Sequence, residues 1–169
     1  MGDKFERVIF LDIDGVLNSR FWEDEHQVEI SDGKYVDIEA VKLFSQLVKE
    51  TDATVILHSG WRFWFDETMN PTRSEAKYFA DAMAREGVEI VGVTPDLTTE
   101  EIRRTRKFSL VKADEILCWL QDHRECGNWV VLDDLDLHNS EIEAHQVRPN
   151  NDVGITKEDV EKAKLLLLK

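Results

Sequence analysis

The apolar residues of this chain come in short runs that do not alternate. Residues 8–11, 54–57, 88–93 and 129–132 are nearly continuous hydrophobic stretches, too short for helices and lacking the in-and-out period of a half-exposed strand. Strands of that kind are covered on both faces, which is the condition of a parallel sheet with helices packed above and below it. Such a sheet needs a crossover between successive strands, and the intervening sequence supplies them.

Asp37 can cap a helix whose inward stripe is Val41, Phe44 and Val48. Asn70 followed by Pro71 opens a second, with stripe Ala76, Phe79, Ala80 and Met83, closed by Gly87. A third runs over 109–122 with Ala113, Ile116, Leu117 and Leu120 facing inward, and Thr156 with Asp159 forms a capping box for a last one through Val160, Ala163 and Leu167. Leu165 to Leu168 read as core or as a contact surface. Strands and helices alternating at these spacings predict an open α/β sheet with helices on both faces, whose ligands bind at the carboxyl ends of the strands. Segment 18–37 is the exception, because it has no helical stripe. Residues 28–36 around Asp32-Gly33 predict a hairpin, making about 18–36 a flap over the end of the first strand.

With 169 residues, 42% of them hydrophobic, the chain is long enough for one core and short for two, so one domain over 1–169 is expected. No apolar run spans a bilayer and residues 1–7 are polar and mixed in charge, so neither membrane insertion nor export is expected. Two cysteines, Cys118 and Cys126, are too few for a disulfide framework, and a cytoplasmic location follows. A net charge of −14 repels polyanions, so a nucleic acid would be held at an end or by a local basic patch.

Chemistry-bearing residues cluster where the predicted strands end. The first runs into Asp12-Ile13-Asp14-Gly15-Val16, with two carboxylates two residues apart and a glycine that permits a sharp turn; the second ends near Ser59-Gly60, and the last in Asp133-Asp134. Carboxylates gathered in one crevice repel one another unless a hard cation lies among them, and oxygen-only ligation suits Mg²⁺. A cation so placed attracts phosphate, for which Ser59 offers a hydroxyl and Lys112, in the first turn of the third helix, a positive charge. Lys107 competes for that role.

In kind and in order, Asp12-x-Asp14-Gly15-Val16 after an apolar strand, Ser59, Lys112 and Asp133-Asp134 resemble the four motifs of the haloacid dehalogenase (HAD) superfamily. That resemblance implies a three-layer, Rossmann-like open parallel sheet of about five strands with a β-hairpin flap. No cap domain fits between the motifs. It also implies a Mg²⁺-dependent phosphatase in which Asp12 is the nucleophile, Asp14 the acid and base, and Ser59 and Lys112 bind the transferred group. The metal would be held by Asp12, the backbone carbonyl of Asp14 and Asp133, with Asp134 close by. Asp14 favours phosphate chemistry over carbon–halogen cleavage, because an alkoxide leaving group needs an acid. Ser59-Gly60-Trp61-Arg62 resembles the Ser-x-Trp-Arg signature of small HAD proteins, among them domains of nucleic-acid end-repair assemblies. Gly60 and Arg62 are therefore candidate substrate-binding residues, with pairing to an acid as the other reading of Arg62. Arg106 and Lys107, in a basic cluster with Arg103 and Arg104, are candidates for a clamp on a substrate phosphate or nucleic-acid end; the same cluster also reads as a solvated loop balancing Glu100 and Glu101. The aromatic run Trp61, Phe63, Trp64 and Phe65 reads as core or lid. The rival reading is a non-hydrolytic module of similar build that accepts phosphate on an aspartate or only binds a partner.

Overall fold

The fold comes from a computed structural model that describes residues 4–20, 25–31 and 33–169. Along the chain run β1 (Arg7–Leu11), β2 (Gln27–Ser31), β3 (Lys34–Asp37), α1 (Ile38–Thr51) and β4 (Thr54–Leu57). A 3₁₀ turn at Gly60–Trp64 precedes α2 (Ser74–Arg85), β5 (Ile90–Val93), α3 (Glu100–Thr105) and α4 (Ser109–Asp122). The chain closes with β6 (Asn128–Leu132), α5 (Ser140–Glu143), β7 (Gln146–Val147) and α6 (Lys157–Leu167). Five strands make one parallel sheet in the order β5-β4-β1-β6-β7.

Alternation along β1 divides the core between the two faces. Ile9 and Leu11 pack with Val41, Phe44 and Leu47 of α1, Phe79 and Met83 of α2, and Val160 and Ala163 of α6. Val8 and Phe10 pack with Ala113, Ile116 and Trp119 of α4 and Ile142 of α5. This is a three-layer α/β sandwich. The chain builds outward from β1 through β4 to β5, then returns to the other side of β1 for β6. That reversal creates a crevice at the carboxyl ends of β1 and its neighbours. Register then levels the strand ends, since Leu11 is paired with both Leu57 and Leu132. Whatever follows those three leucines emerges at one height.

Over this edge lies the antiparallel β2–β3 hairpin, with Val28 opposite Val36 and Glu29 opposite Tyr35. Asp32 of its expected turn, and residues 21–24 of the expected flap, lie outside the described residues. Asp37 ends the hairpin and caps α1, accepting from the amides of Glu39 and Ala40. Only the hairpin and α1 separate β1 from β4, and no cap domain is inserted among the described residues. None of the described helices is long and apolar enough to cross a membrane.

Three expectations shift. The second helix starts at Ser74, not at Asn70-Pro71, because the Asp66 carboxylate accepts from the amides of Thr68 and Asn70 and closes a separate loop first. Leu47 is fully buried in α1, whereas Val48 packs only at the edge of the core. The closing leucines divide: Leu167 is core, but Leu165 is 73% exposed and Leu168 also faces solvent.

Candidate active site

Asp12 extends β1 by one residue. Its amide donates to the Leu132 carbonyl at 2.9 Å, while the His58 amide donates to the Leu11 carbonyl at 2.7 Å, so the sheet ladder holds β4, β1 and β6 together at the point where the polar residues begin. Asp133 follows β6 directly and is fully buried. Between them the chain must turn hard. Gly15 has φ +82°, and a Cβ there would lie 2.6 Å from the Asp134 carboxyl carbon, so only glycine lets this turn close against Asp134.

Lys112 reaches into this cluster from the first turn of α4. Its Nζ lies 2.6 Å from Asp133 Oδ2 and 3.5 Å from Asp12 Oδ2. Burial alone would lower its pKa, but the Asp12 and Asp133 carboxylates outweigh that and push it up to about 12. Burial drives the Asp12 pKa well above the usual carboxylate value. Lys112 opposes that rise, and the charges of Asp133, Asp134 and Asp14 add to it. Asp134 is raised too, by burial and then by Asp133. One ammonium thus faces an excess of negative charge. Asp12, Asp133 and Asp134 each offer a carboxylate oxygen within 4.8 Å of the others, a hard-oxygen set of the kind that suits Mg²⁺. The Asp14 side chain is not in that set.

Residues 8–160 match the family model described as the HAD domain in Swiss Army Knife RNA repair proteins. The chain belongs to that HAD family. No curated protein and no solved structure gave a match. Membership implies hydrolase-type function of the phosphatase class in general terms.

Asp14 is exposed at the mouth of this HAD domain's cleft, and Asn18 orients it. The Asn18 side-chain amide donates to Asp14 Oδ1 at 3.0 Å and to the Tyr35 carbonyl of β3 at 2.9 Å, while its oxygen accepts from the Gly15 amide at 2.9 Å. A single buried side chain thus ties the Asp14 carboxylate to the turn and to the flap. Sequence reasoning missed it. The available signal was an amide residue four positions after Asp14, behind a turn glycine.

Ser59 is buried at the start of the 3₁₀ turn, where its Oγ accepts from the Trp61 amide at 3.1 Å. Its hydroxyl proton remains available to a ligand. Gly60 lines the same cleft, and a Cβ there would meet nothing within 4 Å, so its place is not a steric requirement. Arg62 also lines the cleft, but its guanidinium is already engaged. Nη2 pairs with Glu115 at 2.7 Å, Nη1 donates to the Ser59 carbonyl at 3.0 Å, and Nε is buried without a hydrogen-bond partner among the described residues. Glu115 accepts in addition from the Leu97 amide at 3.0 Å. Its signal in the sequence was an acid on the buried side of α4, three residues beyond Lys112 and next to Ile116.

Arg106 and Lys107 are not brought to the cleft. They are exposed in the connection between α3 and α4, outside the cleft lining, because α3 buries no residue that could turn its cations inward. Lys112 therefore contacts the acids and Lys107 does not. His58 is fully buried, with Nδ1 2.8 Å from Thr94 Oγ1, and burial, followed by the charges of Lys112 and Arg62, holds its pKa well below the usual histidine value.

Proposed function

We propose that this HAD domain is a Mg²⁺-dependent phosphomonoesterase acting through an aspartyl-phosphate on Asp12, with a nucleic-acid end or another extended phosphoester as substrate. The observation that carries this reading is the Lys112 ammonium set against both Asp12 and Asp133 within a cluster of three carboxylates. A lone ammonium there serves two ends. It holds the acids together, and it offers a charge to the oxygens of an incoming phosphoryl group.

The Asp12 carboxylate attacks phosphorus, forming an Oδ–P bond as the bond to the leaving oxygen breaks, and Asp14 gives that oxygen a proton. Asp14, now a carboxylate, takes a proton from water, which attacks phosphorus, breaks the Oδ–P bond and frees phosphate. Ser59 donates its hydroxyl proton to a phosphoryl oxygen, and Lys112 neutralises another. Mg²⁺, held by Asp12, Asp133, the Asp14 carbonyl and nearby Asp134, would supply the charge that lets two anions meet. The oxygen donors of Asp12, Asp133 and Asp134 fit that ion.

The end-directed substrate draws on the family description, the absence of an inserted cap and the open cleft. Arg62 belongs here as a residue that fixes Ser59 by its bond to the Ser59 carbonyl. The two free thiols are in keeping with a reducing cytoplasm. Hydrolysis of an aryl phosphate should require Mg²⁺, stop with chelator and be lost in Asp12→Asn. Activity retained in that variant overturns the assignment, and a phosphorylated form that persists for hours would instead indicate a phospho-acceptor module.

A further inference from the structure

The cleft of about 670 Å³ is much larger than one phosphoryl group and falls among pockets that enclose a ligand of nucleotide size. Its floor is charged, and exposed apolar side chains line the cleft alongside Asp14. Phe63, from the 3₁₀ turn, and Phe108, just before α4, are 59% and 45% exposed, and both line the cleft together with exposed Leu135. None of the large apolar side chains exposed among the described residues lines the groove along α2 or the groove by Trp119.

The ring of Phe63 is held in place. The Arg62 guanidinium lies over it at 4.5 Å, and that guanidinium is itself tied to Glu115 and the Ser59 carbonyl. Its neighbours in the same run behave differently: Trp61 is buried, stacked on Trp64 at 4.8 Å and edge-on to Phe79. Phe63 alone of the run is presented to the cleft as an exposed ring. Among the described residues, the cleft's cations offer little further hold on a long substrate. Lys112 and Arg62 are paired with buried acids, which leaves Arg20, an exposed side chain 3.6 Å from Asp152, as the one further cation lining the cleft among the described residues. A polyanion gripped along its length needs several free cations, and the chain as a whole carries −14.

We propose that Phe63 and Phe108 form a ring-binding subsite for the nucleobase of the nucleotide that carries the scissile phosphate, so that the terminal nucleotide is read and the chain behind it is not. This rests on the phosphomonoesterase reading of the same site. A phosphomonoester on a nucleoside is the shared chemistry, whether the nucleotide is free or ends a strand.

The test compares three probes in the presence of Mg²⁺: a tetranucleotide with a terminal phosphate, the same molecule with an abasic phosphorylated end, and a free nucleoside monophosphate. KM is measured in the otherwise unaltered protein, and Kd in the Asp12→Asn background. Stacking on exposed rings should favour the base-bearing end by about 5- to 150-fold. Phe63→Ala with Phe108→Ala should erase that preference, bringing kcat/KM for the base-bearing end down to that for the abasic end, while Phe63→Trp should keep it. The free nucleotide should bind as tightly as the tetranucleotide. Turnover without base preference, a preference that survives the double substitution, or affinity that grows with chain length overturns the proposal while the phosphatase reading stands. Base-selective binding that depends on both rings, with no turnover of any probe, supports the subsite and sinks the phosphatase reading.

Discussion

Replacing Glu115 by alanine should be the most damaging single change near the site that touches neither the proposed nucleophile Asp12 nor the expected metal ligands. Glu115 and Arg62 are 1% and 7% exposed, with 2.7 Å between the charged atoms. Removing one partner of such a pair leaves the other buried and uncompensated, at a cost of about 3–5 kcal/mol. Arg62 would keep only the Ser59 carbonyl and the Phe63 ring, its Nε already lacks a partner among the described residues, and the Leu97 amide would lose its acceptor. For a domain of this size, each kcal/mol moves Tm by about 2–4 °C, so the predicted drop is roughly 6–20 °C. Urea and thermal unfolding of Glu115→Leu, Arg62→Met and the double variant Arg62→Met/Glu115→Leu give the cycle, with Glu115→Ala measured beside them. Replacing both charges with apolar groups should recover most of the loss, because the pair's own desolvation is costly. Burial raises the Glu115 pKa although Arg62 opposes the rise. The contribution of that group to stability is thus full at low pH and is lost as pH rises through its folded value. Glu115→Gln should flatten that part of the stability–pH curve. A loss below about 1 kcal/mol in Glu115→Ala, or a double variant no more stable than the sum of the singles, refutes the reasoning.

Asn18→Ala should lower kcat much more for alkyl than for nitrophenyl phosphates, since a mispositioned Asp14 matters most where the leaving oxygen needs a proton; equal losses on both would show that Asn18 is merely structural. Gly15→Ala, forced to φ +82° with its Cβ against Asp134, should cost about 1–2 kcal/mol and also abolish stabilisation by Mg²⁺; an unchanged Mg²⁺-induced Tm shift counts against the clash. Asp12 and Asp134 titrate above the usual carboxylate value, so without metal their contribution to stability is present at low pH and lost as pH rises through those folded values. Mg²⁺ needs them deprotonated and should bind more tightly over that same rise, which thermal shift with and without the ion across a pH series will show; affinity independent of pH contradicts it.

What the sequence revealed and what it withheld divide along a physical line. Runs such as 54–57 and 129–132 declare buried strands by composition, and parallel register then forces Asp12, Ser59 and Asp133 to one edge. Lys112 could be found for the same reason, since it opens the helix that feeds β6. Contacts settled by which way a side chain leaves an irregular segment were not legible. Arg62 reads from sequence either as a ligand-binding cation or as the partner of an acid, and only the fold shows that α4 presents Glu115 to it; Arg106 and Lys107 read either as a clamp or as a solvated loop, and α3 buries nothing that would aim them inward.

The pairing of Arg62 with Glu115 explains something about the site. Were its charge free, a second cation would stand in the cleft lined by Asp12 and Asp14, and it would compete with a divalent ion for the same acids. Glu115 cancels that charge locally while leaving the guanidinium rigid enough to hold the Ser59 carbonyl and to back the Phe63 ring. The acids therefore face Lys112 as their direct ionic partner, and the electrostatic deficit at Asp12, Asp133 and Asp134 is left for a metal to fill. On this argument Arg62→Met/Glu115→Leu should leave Mg²⁺ affinity nearly unchanged, whereas Glu115→Ala alone, by freeing the guanidinium, should weaken it. Calorimetric titration of both variants with Mg²⁺ decides the matter, and equal affinities would show that Arg62 is too far removed from the acids for its charge to count.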